Sequence, residues 1–238
     1  MKIHEVAQKS VEWMILRAGI PTASEFDNLV TPKFEIRKGQ MPASYLASKV
    51  AEWWQGGPLA GFNVFDMDQG NTLEEEAIPW YELEFEEKIT RVGFITTDDG
   101  RVGCSPDGLL GNDGGIEIKC PTPQVHTKYL LAGHVPDDYL AQVHGAMYVT
   151  GRAWWKFLSY RRLFPKLLLT VMRDEEIQEK IGEALEGWLD NFELAKKRIE
   201  YCNGGPKPAP KPSSFYDAQL NKRKDPEWVG DPNDVATP

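Results

Sequence analysis

The stretch SPDGLLGNDGGIEIK, residues 105–119, decides how the centre of this chain folds. Four glycines and an Asn-Asp pair lie within 108–115, and these residue types supply the conformations that turns require. The chain is therefore expected to reverse there, so that pairing of the flanking strands brings Asp107 near Glu117. Because side chains alternate faces along a strand, Glu117 and Lys119 are expected to share one face. Two carboxylates and one ammonium group thus gather at a hairpin.

This arrangement is typical of a metal-dependent phosphodiesterase site. Mg²⁺ is often bound through one or two carboxylates while keeping several waters, and it activates water and offsets charge on phosphate. Asp107 and Glu117 are the expected ligands, and the backbone carbonyl of Ile118 offers a third oxygen. Lys119 is expected to orient or deprotonate the attacking water. The spacing alone fits a hairpin with solvated charges equally well.

Three features favour the functional interpretation of the hairpin. The Glu-Ile-Lys triplet lies in an apolar strand that ends at Pro121, and Asp107 lies in a Pro-Asp-Gly corner. The sequence contains no phosphate-binding P-loop, no GxSxG and no HExxH, so no other motif offers competing chemistry.

Composition and charge limit the remaining possibilities. The net charge of −9 argues against a nonspecific nucleic-acid binder. The charges are uneven, since residues 66–88 are strongly acidic and residues 152–173 carry only basic charges, which permits a basic surface. The chain has no apolar run long enough for a membrane helix and no signal-peptide pattern. Three cysteines fit a reducing compartment, so a cytoplasmic protein without membrane contact is expected.

The hydrophobic pattern predicts a mixed α/β core. Helices are expected over 5–18, 42–55, 70–86, 124–132, 137–149 and 174–202. Strands are expected over 89–97, 101–104, 115–120, 153–160 and 167–173. Pro79 is expected to break or shorten the acidic helix, and Thr22 with Glu25 is expected to form a capping box. A single domain is expected over 1–203, followed by a Pro-rich linker and tail over 204–238.

The hairpin residues also resemble those of a known family. Cys104-Ser-Pro-Asp-Gly-Leu109 followed by Glu117-Ile-Lys-Cys-Pro121 resembles the phage lambda exonuclease and YqaJ-type recombination nucleases, a branch of the PD-(D/E)xK nucleases. Three further segments share the likeness, in family order over roughly 12–200: Leu16-Arg-x-Gly-x-x-Thr-Ala-Ser-Glu25, Gly70-x-x-x-Glu74-x-x-Ala77 and Tyr139-x-Ala-Gln-Val143. The resemblance implies a restriction-endonuclease-like core, with a central mixed β-sheet flanked by helices and a long C-terminal helix.

The same resemblance implies an activity. Members of this family degrade linear double-stranded DNA from 5′ ends to mononucleotides, leaving a 3′ single-stranded overhang for phage-type recombination. They use Mg²⁺, which Mn²⁺ is expected to replace, and two ions are expected in the site. They form homotrimeric rings and work with a single-strand annealing protein. The expected setting is the cytoplasm of a bacterial or phage-infected cell.

The resemblance also assigns roles to individual residues by their position in the matched segments. The catalytic set is Asp107, Glu117, Lys119, Glu74 and Gln142. The metal ligands are Asp107, Glu117, Glu74 and the carbonyl of Ile118. The pocket for the 5′-phosphate is Arg17, Ser24 and Ser105. Met67 corresponds to an apolar wedge that splits the end base pair, where the best-known member has Leu. The Pro-rich tail has no counterpart.

Other readings of the same residues stay open at this point. A RecB-like or Cas4-like nuclease shares the hairpin, although three scattered cysteines do not suit the four-cysteine iron–sulfur cluster of the Cas4-like type. A restriction-type endonuclease shares it too, but gives no reason for the segment around Arg17 and Ser24. A catalytically silent DNA-binding module does not explain the intact set of Asp107, Glu117 and Lys119.

Overall fold

The computed structural model describes residues 1–59 and 68–207, with the side chains of 68–72 not described. Met67 and residues 208–238 lie outside the described residues, so the expected wedge and tail stay predictions. No helix in the described part of the chain is long and apolar enough to cross a membrane. The elements, in chain order, are β1 (Lys2–His4), α1 (Val11–Arg17), a 3-10 helix (Ala23–Asn28), α2 (Gln40–Gln55), α3 (Asp68–Phe85), β2 (Ile89–Thr90), β3 (Phe94–Thr96), β4 (Gly103–Cys104), β5 (Gly108–Leu110), β6 (Gly114–Lys119), α4 (Pro123–Ala132), α5 (Asp137–Thr150), β7 (Trp154–Ser159), β8 (Leu167–Met172) and α6 (Glu175–Cys202).

A mixed five-stranded sheet forms the centre of the fold, in the order β2-β5-β6-β7-β8. The strands β6 and β7 run parallel, and the other neighbours run antiparallel. The parallel pair requires a crossover, which α4 and α5 provide. The strands β1, β3 and β4 form a separate three-stranded sheet. The expected mixed sheet with flanking helices is therefore confirmed.

The central sheet is covered by helices on both faces. On one face, Phe157 of β7 shares a hydrophobic cluster with Met147 of α5 and Ile181 of α6. On the other, Leu158 shares a cluster with Tyr81 of α3. Burying each such side chain stabilises the fold by roughly 1.5–3 kcal/mol. Because both faces are covered, β6 and β7 are apolar along most of their length, and a charged residue on β6 stands out.

The long C-terminal helix confirms the prediction from its 3.6-residue periodicity. It begins after Asp174, whose carboxylate accepts a hydrogen bond from the backbone N–H of Ile177. Its apolar stripe, which includes Ile181, Leu185 and Trp188, is buried in the larger of the hydrophobic clusters.

Three local predictions were wrong. Pro79 lies inside α3 without breaking or shortening it, because Pro79 and Glu75 are both exposed and water can satisfy the carbonyl that the missing N–H leaves free. No capping box forms, since the hydroxyl of Thr22 donates 2.8 Å to the side chain of Glu25 and the turn is a 3-10 helix. The turn of the β5–β6 hairpin is shorter than expected, because residues 108–110 already form β5.

The predicted strand 89–97 is in fact two strands in different sheets. The break falls at residues 91–93, where the N-terminal segment crosses closely. A Cβ at Gly93 would lie 1.8 Å from the carbonyl oxygen of Val6, and the Gln8 amide donates 2.9 Å to the carbonyl of Val92. Contacts between residues so distant in sequence leave no trace in local periodicity.

Candidate active site and phosphate pocket

The β5–β6 hairpin brings Asp107 and Glu117 together, which confirms their expected proximity. The two strands pair with Gly108 opposite Ile116, so that Asp107, one residue before β5, faces Glu117. One oxygen of Asp107, Oδ2, accepts a hydrogen bond of 2.5 Å from the backbone N–H of Ile118. Gly108 is required at this bend, because a Cβ there would lie 2.1 Å from the side chain of Ile89.

Glu117, Lys119 and Gln142 form a closed polar triangle. Nζ of Lys119 lies 2.6 Å from Oε1 of Glu117, and the amide nitrogen of Gln142 donates to the same oxygen at 2.7 Å. The third side is a 3.2 Å hydrogen bond from Lys119 to the amide oxygen of Gln142. Glu117 is only 4 % exposed, so water contributes little to holding its charge. Strand β6 and helix α5 thus position all three groups expected from the sequence.

Two pKa values at this site, those of Asp107 and Lys119, are displaced from their ordinary ranges. Burial raises the pKa of Asp107 well above its usual value, and the charges of Glu117 and Glu74 raise it further, against the hydrogen bond from Ile118. Burial alone would lower the pKa of Lys119, but the charges of Glu117 and Asp107 outweigh it, so that pKa is raised. Negative charge is therefore in excess at Asp107, where a cation is favoured.

Glu74 of α3 borders the same region without completing a three-acid cluster. Its Oε2 lies 3.6 Å from Nζ of Lys9, in a partly exposed ion pair. Glu74, Lys9 and Asp107 line one cavity of about 440 Å³. The structure thus brings Glu74 to the mouth of the site rather than into contact with Glu117.

The donor set fits a hard divalent cation of the magnesium type. In the described part of the chain, no three His, Cys, Asp or Glu side chains stand close enough to hold a metal by themselves. Mg²⁺ does not require three, because it usually keeps several waters and takes one or two carboxylates. Among the described residues, Oδ1 of Asp107 and Oε2 of Glu117 have no hydrogen-bond donor. Two carboxylate oxygens are thus available in this buried, acid-rich corner.

A second polar cluster gathers the three residues expected to bind a 5′-phosphate. Arg17, the last residue of α1, donates to the hydroxyl of Ser105 at 3.0 Å and to that of Ser24 at 3.3 Å. Its guanidinium also donates to Thr22 at 3.1 Å and lies 4.3 Å from the ring centre of Trp13. Burial lowers the pKa of Arg17, although nearby acids oppose that effect. This buried fork suits the planar recognition of an anion.

The Arg17 cluster and the acidic hairpin are close together in the chain. Ser105 precedes Asp107 by two positions, and its hydroxyl also accepts 2.8 Å from the indole of Trp13. The pocket beside Arg17 has a volume of about 250 Å³, and Ser24, Lys49 and Glu52 are among its lining residues.

The sequence analysis missed two contributors to these clusters. Thr22 is fully buried and touches Arg17 directly, and Lys119 lies 4.8 Å from the ring centre of Tyr139. Thr22 and Tyr139 both lie in segments that carry the family resemblance, but the resemblance assigned a role to neither residue.

Known structures share this fold. LHK-Exo in complex with dAMP is 28% identical, with a TM-score of 0.73, and the match covers 82% of this chain and 98% of that one. The alkaline exonuclease LHK-Exo from Laribacter hongkongensis is likewise 28% identical, with a TM-score of 0.71 and coverage of 89% and 100%. A phage-related exonuclease from Haemophilus somnus 129PT, 15% identical with a TM-score of 0.50 and coverage of 83% and 97%, shares the fold alone. No functionally curated protein is a significant match.

A family model settles the relationship. The model for the YqaJ-like viral recombinase domain matches residues 12–153, which include Arg17, Ser24, Glu74 and the whole β5–β6 hairpin. This span exceeds half of the chain. The chain therefore belongs to the YqaJ-like viral recombinase family, and this membership supports a nuclease role in recombination.

Proposed function

We propose that this protein is a Mg²⁺-dependent exonuclease that degrades linear double-stranded DNA from 5′-phosphorylated ends to mononucleotides, leaving a 3′ overhang. The observation that carries the proposal is the junction of two clusters: the anion pocket around Arg17 and the acidic hairpin at Asp107 share one short segment that begins at Ser105. A pocket for a terminal phosphate beside a hydrolytic site suits an enzyme that works from ends.

In this proposal, Asp107, Glu117 and the Ile118 carbonyl hold the metal, with Glu74 available for a second ion. The bound metal, Mg²⁺ or Mn²⁺, would supply an activated water and offset negative charge on the phosphate. Gln142 and Lys119 both contact one oxygen of the Glu117 carboxylate and hold that carboxylate in one orientation. Because its pKa is raised, Lys119 acts as a cation that orients the water and screens the phosphate.

Arg17, Ser24 and Ser105 would bind the terminal 5′-phosphate. The guanidinium offers several N–H donors in a fixed plane, and the two hydroxyls contribute a donor each. Since Ser105 and Asp107 are two positions apart, the pocket fixes the distance between the terminal phosphate and the bond to be cut. The dAMP bound by LHK-Exo is a mononucleotide and supports this type of product.

The remaining parts of the proposal follow from the family resemblance. They include a homotrimeric ring around the DNA, a phage-type single-strand annealing protein as partner, and Met67 as the wedge at the DNA end. Composition adds two further parts: one nuclease domain over 1–203 followed by a Pro-rich tail, and action in the cytoplasm of a bacterial or phage-infected cell.

One experiment separates this proposal from its alternatives. The protein is incubated with Mg²⁺ and three duplexes: linear with 5′-phosphate, linear with 5′-hydroxyl, and closed circular. The proposal predicts loss of the linear forms only, fastest with phosphate, and no digestion by Asp107→Ala or Lys119→Ala. Cutting of the circle would indicate an endonuclease. Absence of digestion by the unmodified protein, with DNA still bound, would indicate a silent binding module.

A further inference from the structure

Lys49 of α2 is a buried lysine that belongs to neither the metal site nor the expected phosphate ligands. It is 5 % exposed, and lysine is rarely buried to this degree unless it is paired. Its ammonium lies 3.0 Å from Oε2 of Glu25 and 3.1 Å from Oε2 of Glu52. All three residues line the pocket that contains Arg17 and Ser24. Glu25 and Glu52 thus line a pocket that is proposed to bind an anion, and Lys49 contacts both carboxylates.

The two carboxylates are fixed where they stand. Oε2 of Glu25 also accepts from the hydroxyls of Thr22 at 2.8 Å and Tyr45 at 3.2 Å. Oε2 of Glu52 accepts from the backbone N–H of Gly19 at 3.0 Å. Because these donors converge on the oxygens that face Lys49, the acids are held against the lysine, and they act on Arg17 through their charge rather than through an ion pair.

The pocket's other cation, Arg17, is left with hydroxyl partners. Among the described residues no carboxylate lies within ion-pair distance of Arg17, and its hydrogen bonds run to Ser105, Thr22 and Ser24. A partly buried guanidinium without an anionic partner loses some of its hydration, and binding an anion compensates for that loss. Lys49 therefore forms ion pairs with both carboxylates, and the guanidinium of Arg17 remains available to bind an anion.

We propose that Lys49 is a positioning residue that sets the preference for a phosphorylated 5′ end, by holding both Glu25 and Glu52 in ion pairs beside the phosphate pocket. This proposal rests on the proposed function, since it concerns the same pocket. With Lys49 present, the two positive charges of Arg17 and Lys49 and the two negative charges of Glu25 and Glu52 sum to zero. Without it, one cation and two carboxylates leave −1 beside the incoming phosphate, and Glu25 is released to pair with Arg17.

The test measures the ratio of initial degradation rates on linear duplex with 5′-phosphate and with 5′-hydroxyl. Lys49→Met is expected to lower this ratio roughly tenfold, because an uncompensated carboxylate then faces the phosphate. The triple variant Lys49→Met, Glu25→Gln, Glu52→Gln is expected to raise the ratio at least to that of the unmodified protein, because only the positive charge of Arg17 then remains beside the phosphate. Lys180→Met removes an exposed lysine paired with Glu176 at 2.7 Å and serves as the control with an unchanged ratio.

A second pair of substitutions keeps the test decisive if Lys49→Met does not fold. Glu25→Gln with Glu52→Gln retains Lys49, preserves side-chain shape and removes both negative charges, so the ratio is expected to rise. A folded Lys49→Met variant with an unchanged ratio, no recovery in the triple variant, or no rise in the Glu25, Glu52 double variant would each overturn the proposal. A ratio near one in the unmodified protein would instead contradict the phosphate pocket of the proposed function, and this inference with it.

Discussion

Folding places Asp107 in an environment that disfavours the ionised form of its carboxyl group. Burial and the nearby carboxylates of Glu117 and Glu74 raise its pKa well above the ordinary value. A carboxyl whose pKa is raised on folding favours the folded state fully below its unfolded pKa, and that contribution is lost as pH rises through the folded pKa. At neutral pH, Asp107 therefore destabilises the metal-free protein. Such a cost is typical of residues positioned for function.

The substitution Asp107→Asn tests this conflict. It removes the charge and keeps the shape, so the metal-free variant is expected to have a higher Tm than the unmodified protein at neutral pH, with the difference shrinking as pH falls. The same variant is expected to lose nuclease activity by roughly a thousandfold or more, since a metal ligand is gone. Thermal unfolding with and without Mg²⁺ measures the first effect. A lower Tm for the variant at neutral pH would contradict the account.

Arg17 gives a second residue-scale prediction. Arg17→Lys keeps the positive charge but loses the fork that reaches Ser105 and Ser24 together. The preference for 5′-phosphate over 5′-hydroxyl ends is expected to fall roughly tenfold, the value of one charge-assisted hydrogen bond. Arg101→Lys, an exposed arginine outside the pocket lining, is the matched control. Equal preference in both variants and the unmodified protein would show that Arg17 does not read the phosphate.

The β5–β6 hairpin is the element on which the site depends, and glycine makes its packing possible. A Cβ at Gly115 would lie 2.3 Å from the ring of Trp155, which is fully buried. Gly115, one of the glycines that predicted a turn, therefore also allows Trp155 of β7 to pack against β6. This second role was invisible in the sequence, because it depends on the register of a parallel pair formed across two helices.

Two glycine-to-alanine substitutions of opposite sign test this packing. Gly115→Ala forces the ring of Trp155 to move and is expected to lower the free energy of unfolding by about 1–3 kcal/mol. Gly187→Ala lies in α6, where an added Cβ meets nothing within 4 Å, and is expected to raise the free energy of unfolding by about 0.5–1 kcal/mol. Chemical denaturation measures both. Equal effects would mean that the close contact at Gly115 does not limit the packing.

Local sequence patterns predicted helices and strands correctly where the residues of the segment itself determine its conformation. The periodicity of α6 and the alternation of Glu117 and Lys119 needed no distant contact. Prediction failed at Gly93, where the N-terminal segment crosses the chain and splits one expected strand into two. Prediction also failed at Pro79, where exposure of the free carbonyl decides the outcome. Asp107, Glu117 and Lys119 were found from the spacing of the hairpin and the remaining site residues through the family resemblance, while Thr22 and Lys49 required the three-dimensional contacts.

At the scale of the whole molecule, the uneven charge is compensated only in part by contacts within the protein. Residues 152–173 carry only basic charges, which permitted a basic surface. Within the described residues, each of its basic side chains instead donates to carbonyls, carboxylates or a hydroxyl of the protein itself: Arg152, Lys156, Arg161, Arg162, Lys166 and Arg173. Lys156, Arg162 and Arg173 are thus paired with carboxylates, whereas Arg152, Arg161 and Lys166 donate to neutral carbonyls and keep their positive charge uncompensated in the described part of the chain.

This charge distribution predicts how the protein selects DNA ends. An acidic molecule whose attractive groups lie inside the site is expected to bind internal duplex weakly and to lose activity as salt rises. Binding of linear and closed circular duplex, measured across a range of salt concentrations, checks both expectations. Equal affinity for the two forms would contradict them.

The most direct test of the central claim follows the fate of a labelled 5′ end. A linear duplex that carries a label on each 5′-terminal nucleotide is digested with Mg²⁺, and products are separated over time. The account predicts that the label appears first as a mononucleotide while the strands that end in 3′ termini stay long. Release of the label in long oligonucleotides, or shortening from the 3′ ends with the label retained, would contradict it.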